Sequence, residues 1–184
     1  MAVRIKSQWH NDDSARSLEE IGGAIAFNGW KLAVDKAITL HGEHFIYDSD
    51  QQRMDVIAEY LIYQAQIVDR IASDMLNDEE RQTLITALVL KMADHMADNA
   101  TELLTSEDPR SDFIQRFNQR AGEYAELGFT DEGPSYPFMR HLGFEIQQVM
   151  GESQENRWVI DQVMDKDGPE TYKQLKRITR NLFM

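Results

Sequence analysis

The sequence predicts an all-α protein, a single-domain bundle of about six to seven helices built around a long antiparallel helical hairpin at residues 50–104. Three observations predict it. Apolar residues recur at spacings of three and four along most of the chain, which marks one face of a helix and not the alternation of a strand. Neither half of the 50–104 stretch contains Gly or Pro, and both are rich in Ala, Leu, Met, Gln and Glu, which lose little entropy in a helix. The polar corner between the halves is too short for anything but antiparallel neighbours.

Residues 1–12 read as an N-terminal arm and residues 13–184 as one helical domain. Val3 and Ile5 in the arm are expected to dock on the bundle. Ser17 with Glu20 fits a capping box that opens the first helix. Ile21, Ile25, Leu32 and the 27-30-34-38 line give this helix a broad apolar band, so it is expected to be buried on more than one side. Gly22, Gly23 and Gly29 inside it point to close backbone packing or to a break near Gly23. Gly42 ends it.

The first arm of the hairpin starts at Ser49, with Gln52 in capping-box spacing, and turns Met54, Ile57, Ala58, Leu61, Ala65, Val68, Ala72 and Met75 inward. Asn77, followed by Asp78, Glu79 and Glu80, starts the second, whose inward line is Leu84, Leu88, Met92, Met96 and Leu103. Asp108 caps a fourth helix with Pro109 in its first turn. Residues 128–137, GFTDEGPSYP, form the longest irregular segment, read as a connector with a functional loop as the alternative. A fifth helix spans 138–150, Ser153 starts a sixth, and Gly168-Pro169 separates it from a last helix at 170–183.

Composition narrows the function classes. A chain of 184 residues buries about 70% of its unfolded surface, enough for a full core. The formal net charge of −13 disfavours duplex nucleic acid and anionic membranes as partners. The absence of cysteine excludes disulfides, thiolate metal sites and thiol catalysis. No apolar run is long enough to span a bilayer, and MAVRIKSQWH lacks a secretory apolar segment, so a cytoplasmic location is the default expectation. There is no Gly-x-Ser-x-Gly elbow, no Walker loop, no Glu-x-x-His and no His-Glu-x-x-His.

Two sets of residues remain. Lys173, Lys176, Arg177 and Arg180 line one face of the last helix, opposite Tyr172, Leu175, Ile178 and Leu182. In so acidic a chain this face points to an acidic protein partner or to self-association as a homo-oligomer. The leading expectation is therefore a non-enzymatic interaction or regulatory domain with no cofactor. The competing expectation is a bundle that binds a divalent metal through His95, His141, Glu145 and Glu59. His141 and Glu145 lie four apart and so share a helix face, as do Asp55 and Glu59. A third reading is a small-molecule pocket between the first hairpin and residues 128–140.

Overall fold

A computed structural model gives the arrangement of residues 16–42, 45–100, 107–151 and 158–184. Five long helices come first: α1 (Leu18–Gly42), α2 (Asp50–Ala72), α3 (Asp78–Ala100), α4 (Pro109–Ala125) and α5 (Tyr136–Met150). A single turn, α6 (Val159–Gln162), then runs through a π-helical turn (Val163–Asp167) into α7 (Gly168–Phe183). Among the described residues the only strands are β1 (Phe129–Thr130) and β2 (Gly133–Pro134), two residues each and antiparallel. The protein is an all-α bundle, and α2 and α3 are its helical hairpin.

Local chemistry sets the helix starts. At α1 the Ser17 N–H donates to Glu20 Oε2 at 2.8 Å and the Glu20 N–H donates to Ser17 Oγ at 3.1 Å, a reciprocal capping box. Asn77 and Glu80 make the same exchange at α3, at 3.1 and 2.9 Å. Ser49 Oγ accepts from the Gln52 N–H at 3.1 Å, while the Gln52 side chain accepts from Asp48, one residue earlier than a regular box. Asp108 accepts from the Ser111 N–H at 3.0 Å and opens α4, with Pro109 in the first turn.

The helix enclosed on all sides is α2. Every residue from 56 to 68 is buried, and α2 touches α1, α3, α4, α5 and α7. The first helix, expected to be buried on more than one side, packs against α2, α3 and α7. Ile21, Ile25, Ala33, Ala37 and Leu40 of α1 are buried, but Phe27 and Ile38 on the 27-30-34-38 line are exposed. α1 keeps one exposed side, along Phe27, Lys31, Asp35 and Ile38. The helix does not break at Gly23. Gly22 permits the close approach to α3, because a Cβ there would lie 3.0 Å from the Leu88 nitrogen and 3.1 Å from the Leu84 carbonyl oxygen. Met75 is exposed because α2 stops at Ala72, before the corner.

Two further expectations change. Residues 128–137 are not wholly irregular: β1 and β2 form a minimal hairpin, with Gly133 at φ +124° beneath the Tyr172 ring, 2.5 Å from where a Cβ would stand. Gly168-Pro169 does not separate two helices. The π turn carries the helix through it, with the Gly168 N–H donating to the Val163 carbonyl five residues back. Pro169 then falls in the first turn of α7, directly after the π turn. The arm at residues 1–12 and the start at Ser153 fall outside the described residues.

An aromatic cluster ties α2, α4, α5, the hairpin and α7 together. Phe138 lies 4.7 Å from Tyr124, 5.7 Å from Tyr63 and 5.7 Å from Phe129, centroid to centroid, and Phe129 lies 5.9 Å from Tyr172. Each such pair contributes about 0.5–1.5 kcal/mol beyond its buried area. The cluster holds the inner ends of α4 and α5 in fixed register beside α2, which is where the polar side chains converge.

Candidate sites on the central helix and on α7

Asp55 and Glu59 lie one turn apart on α2 and meet Arg116 and Arg120, one turn apart on α4. Arg116 Nη2 donates to Asp55 Oδ1 at 2.8 Å. Arg120 grips Glu59 with two nitrogens, Nε to Oε2 at 3.1 Å and Nη2 to Oε1 at 3.2 Å. This fork-on-carboxylate geometry is the strongest form of ion pair, and Glu59 is only 1% exposed. Arg120 also reaches Glu145 Oε2 of α5 at 2.5 Å and Glu123 of its own helix at 3.2 Å. Glu123 Oε2 in turn lies 2.8 Å from His141 Nε2 of α5. Three helices thus bring Glu59, Glu123, Glu145 and His141 around one guanidinium.

The environment sorts these groups. Burial raises the Glu145 carboxyl above its ordinary value, with Arg120 pulling it back. Burial also works against ionised Glu123, but the hydrogen bond from Gln119 and the charges of Arg120 and His141 outweigh it and hold that carboxyl low. One ligand atom each from Glu123, His141 and Glu145 lies within 4.8 Å of the others. The arrangement offers a nitrogen and several carboxylate oxygens, a donor set for a borderline divalent ion.

A second polar network starts one residue further along α2. The Tyr60 hydroxyl donates to Asp167 Oδ2, at the end of the π turn, at 3.0 Å. Lys36 of α1 is 4% exposed, stands 3.8 Å from Asp167 Oδ1 and pairs closely with Glu170 of α7. The Tyr63 hydroxyl donates to the Gly168 carbonyl at 3.1 Å. Burial raises the Asp167 carboxyl, opposed by the Tyr60 hydrogen bond and Lys36. Desolvation likewise drives the Tyr60 phenol well up. The network joins α1, α2 and α7 as a clasp, with Asp167 and Lys36 buried and Glu170 at its exposed edge.

The sequence-derived metal candidates divide. His141, Glu145 and Glu59 come together through Arg120. His95 does not join them: its ring stacks on Trp30 at 5.8 Å and tilts against Phe27 at 6.5 Å, and burial lowers its pKa. The basic candidates all lie on α7. Lys173, Arg177 and Arg180 are exposed, and half-buried Lys176 lies 5.3 Å from the Tyr172 ring centroid. None of the four is within 4.0 Å of a carboxylate among the described residues. Beside residues 128–140 lies a shallow, open hollow of about 360 Å³, lined by Leu127, Tyr136, Pro137, Arg140, His141 and Phe144.

Reasoning from sequence missed Arg116, Arg120, Glu123, Lys36, Tyr60 and Asp167. Signals existed for some of them. Arg116 and Arg120 repeat the four-residue spacing of Asp55 and Glu59 with opposite charge, and Lys36 interrupts the inward line of Ala33, Ala37 and Leu40. No helix among the described residues is long and apolar enough to cross a membrane. Comparison with known proteins adds no family to this geometry: no protein-family model matches the chain, and no curated protein or solved structure is detectably similar to it.

Proposed function

We propose that this protein is a binding module that docks an acidic helix of a partner protein on the outer face of α7, without catalysing a reaction. One observation carries the reading. Lys173, Lys176, Arg177 and Arg180 make no ion pair among the described residues, although acidic residues outnumber basic ones by 32 to 19. Arg53, Arg81, Arg110, Arg116, Arg120, Lys36 and Lys91, by contrast, each meet a carboxylate. Arg70 bonds the carbonyls of Tyr124, Ala125 and Leu127. A helix packed by Leu175, Thr179 and Tyr172, with Lys173, Arg177 and Arg180 exposed and Lys176 against the Tyr172 ring, is a positive strip.

The occupant follows from charge and spacing. Carboxylates at intervals of three and four on a partner helix match cations at 173, 176, 177 and 180. The net charge of −13 repels such a partner at long range, but screening confines that repulsion to about 8 Å at physiological salt, so the local strip governs the encounter. The test is fluorescence anisotropy with a labelled helical peptide carrying Glu at those intervals. Binding that weakens with salt and disappears in Lys173→Glu/Arg177→Glu is expected. Equal binding by that variant, or no binding by the unsubstituted chain at low salt, overturns the reading. Sedimentation of the chain alone tests the competing occupant, a second copy: dimers that the same substitutions dissolve replace the partner helix.

A further inference from the structure

We propose that Glu123, His141 and Glu145 form a site for one divalent transition-metal ion, with Zn²⁺ the ion that best suits the donors. The first ground is convergence. His141 and Glu145 are one turn apart on α5, Glu123 reaches over from α4, and the three donor atoms lie within 4.8 Å of one another. Their side chains are 18%, 12% and 35% exposed, so the site is sheltered yet open to an ion from the hollow that His141 lines. One imidazole and two carboxylates without a thiolate is a set for Zn²⁺, Fe²⁺ or Mn²⁺, and Zn²⁺ leads that series in affinity. Three protein ligands leave one position for water.

The second ground is independent of the cluster itself. Tyr124 is 0% exposed, and its hydroxyl has no hydrogen-bond partner among the described residues. An orphaned buried hydroxyl costs about 1–3 kcal/mol. This one sits in the field of Glu59, Arg120 and Glu145, and its ring meets the His141 ring edge-on at 4.8 Å. A water on an ion held by His141 and Glu145 gives that hydroxyl a partner.

Charge points the same way. Asp55, Glu59, Glu123 and Glu145 face the guanidinium groups of Arg116 and Arg120, Arg116 lying 3.8 Å from Glu59 as well. Four carboxylates against two guanidinium groups leave an excess of two when the His141 ring is neutral, the form that binds a metal. Arg120 gives up to an incoming ion its Nη1 contact of 3.2 Å with the Glu123 oxygens and keeps its others. It holds Glu145 through Oε2, which leaves Oε1 for the ion, and it keeps both oxygens of Glu59. It then serves as an outer partner that orients the ligands.

The test is isothermal titration of the chelator-treated full chain with ZnCl₂, MnCl₂ and MgCl₂. One equivalent of Zn²⁺, bound more tightly than Mn²⁺ and with no Mg²⁺ heat, is the expected result. His141→Ala and Glu123→Gln should each weaken Zn²⁺ at least tenfold, while His95→Ala leaves it unchanged. Circular dichroism of each variant checks the fold, and Glu145→Gln serves where His141→Ala does not fold. Absence of a Zn²⁺ equivalent, or unchanged affinity in folded His141→Ala or in both glutamine variants, overturns the proposal. The α7 substitutions do not touch these ligands, so failure here is distinguishable from failure of the docking reading.

Discussion

Glu59 and Tyr60 are neighbours in sequence, yet each opens into a different buried polar network, and the two are stabilised in different ways. Glu59 meets a forked guanidinium in two parallel hydrogen bonds, supported by Glu123 and Glu145 on the far side of the same cation. Tyr60 instead donates one neutral hydroxyl to Asp167, whose other oxygen makes no hydrogen bond among the described residues and stands 3.8 Å from Lys36. The first network works through fixed charge, because a guanidinium does not give up its proton. Burial pushes one carboxyl toward its neutral form in each, Glu145 in the first and Asp167 in the second, but only Asp167 also has a neutral hydroxyl donor. A buried charge is expensive unless a partner or a change of protonation compensates it.

The largest expected effect tests that contrast. Arg120→Ala removes the forked partner of Glu59, which is 1% exposed and keeps only Arg116 Nη1 at 3.8 Å, and should cost on the order of 3–5 kcal/mol in urea unfolding. Lys36→Met also removes a buried cation from a carboxylate, but Asp167 keeps its Tyr60 donor and can take up a proton. Its cost should be smaller, about 1–3 kcal/mol. Equal losses in the two variants would break the comparison.

The smallest effect is in pH. The Asp167 pKa is higher in the folded chain than unfolded, so its contribution is fully present below its unfolded value of about 4 and is lost as pH rises through the folded value. Asp167→Asn cannot titrate. Its stability relative to the unsubstituted chain should therefore rise from acid toward neutral pH, read as paired melting curves. A constant difference, or one that falls with pH, contradicts the assigned sign.

How far the sequence reached can be seen residue by residue. The caps at Ser17/Glu20, Asn77/Glu80 and Asp108 were legible because a cap is a contact between residues three apart. His141 with Glu145 was legible as a pair for the same reason. Glu123 was not, since it reaches His141 across 18 residues, nor was Arg120, which meets Glu59 across 61. Neither separation leaves a periodic trace, and Asp167 needed both a π turn and the docking of α7 on α1 and α2.

What the sequence determined by itself is the set of rods. Spacing, composition and capping are local, and they fix that α1 to α5 and α7 are helices and roughly where each begins. What only the tertiary structure decided is which rod lies at the centre. An apolar stripe records that one face is buried but not how many neighbours a helix has. α1 shows the wider apolar band and has one exposed side, whereas α2 carries Glu59, Gln64 and Gln66 and is enclosed. Glu59 is tolerated inside because α4 brings Arg120 to it, and the Gln64 side-chain nitrogen because α1 brings the Gly29 carbonyl.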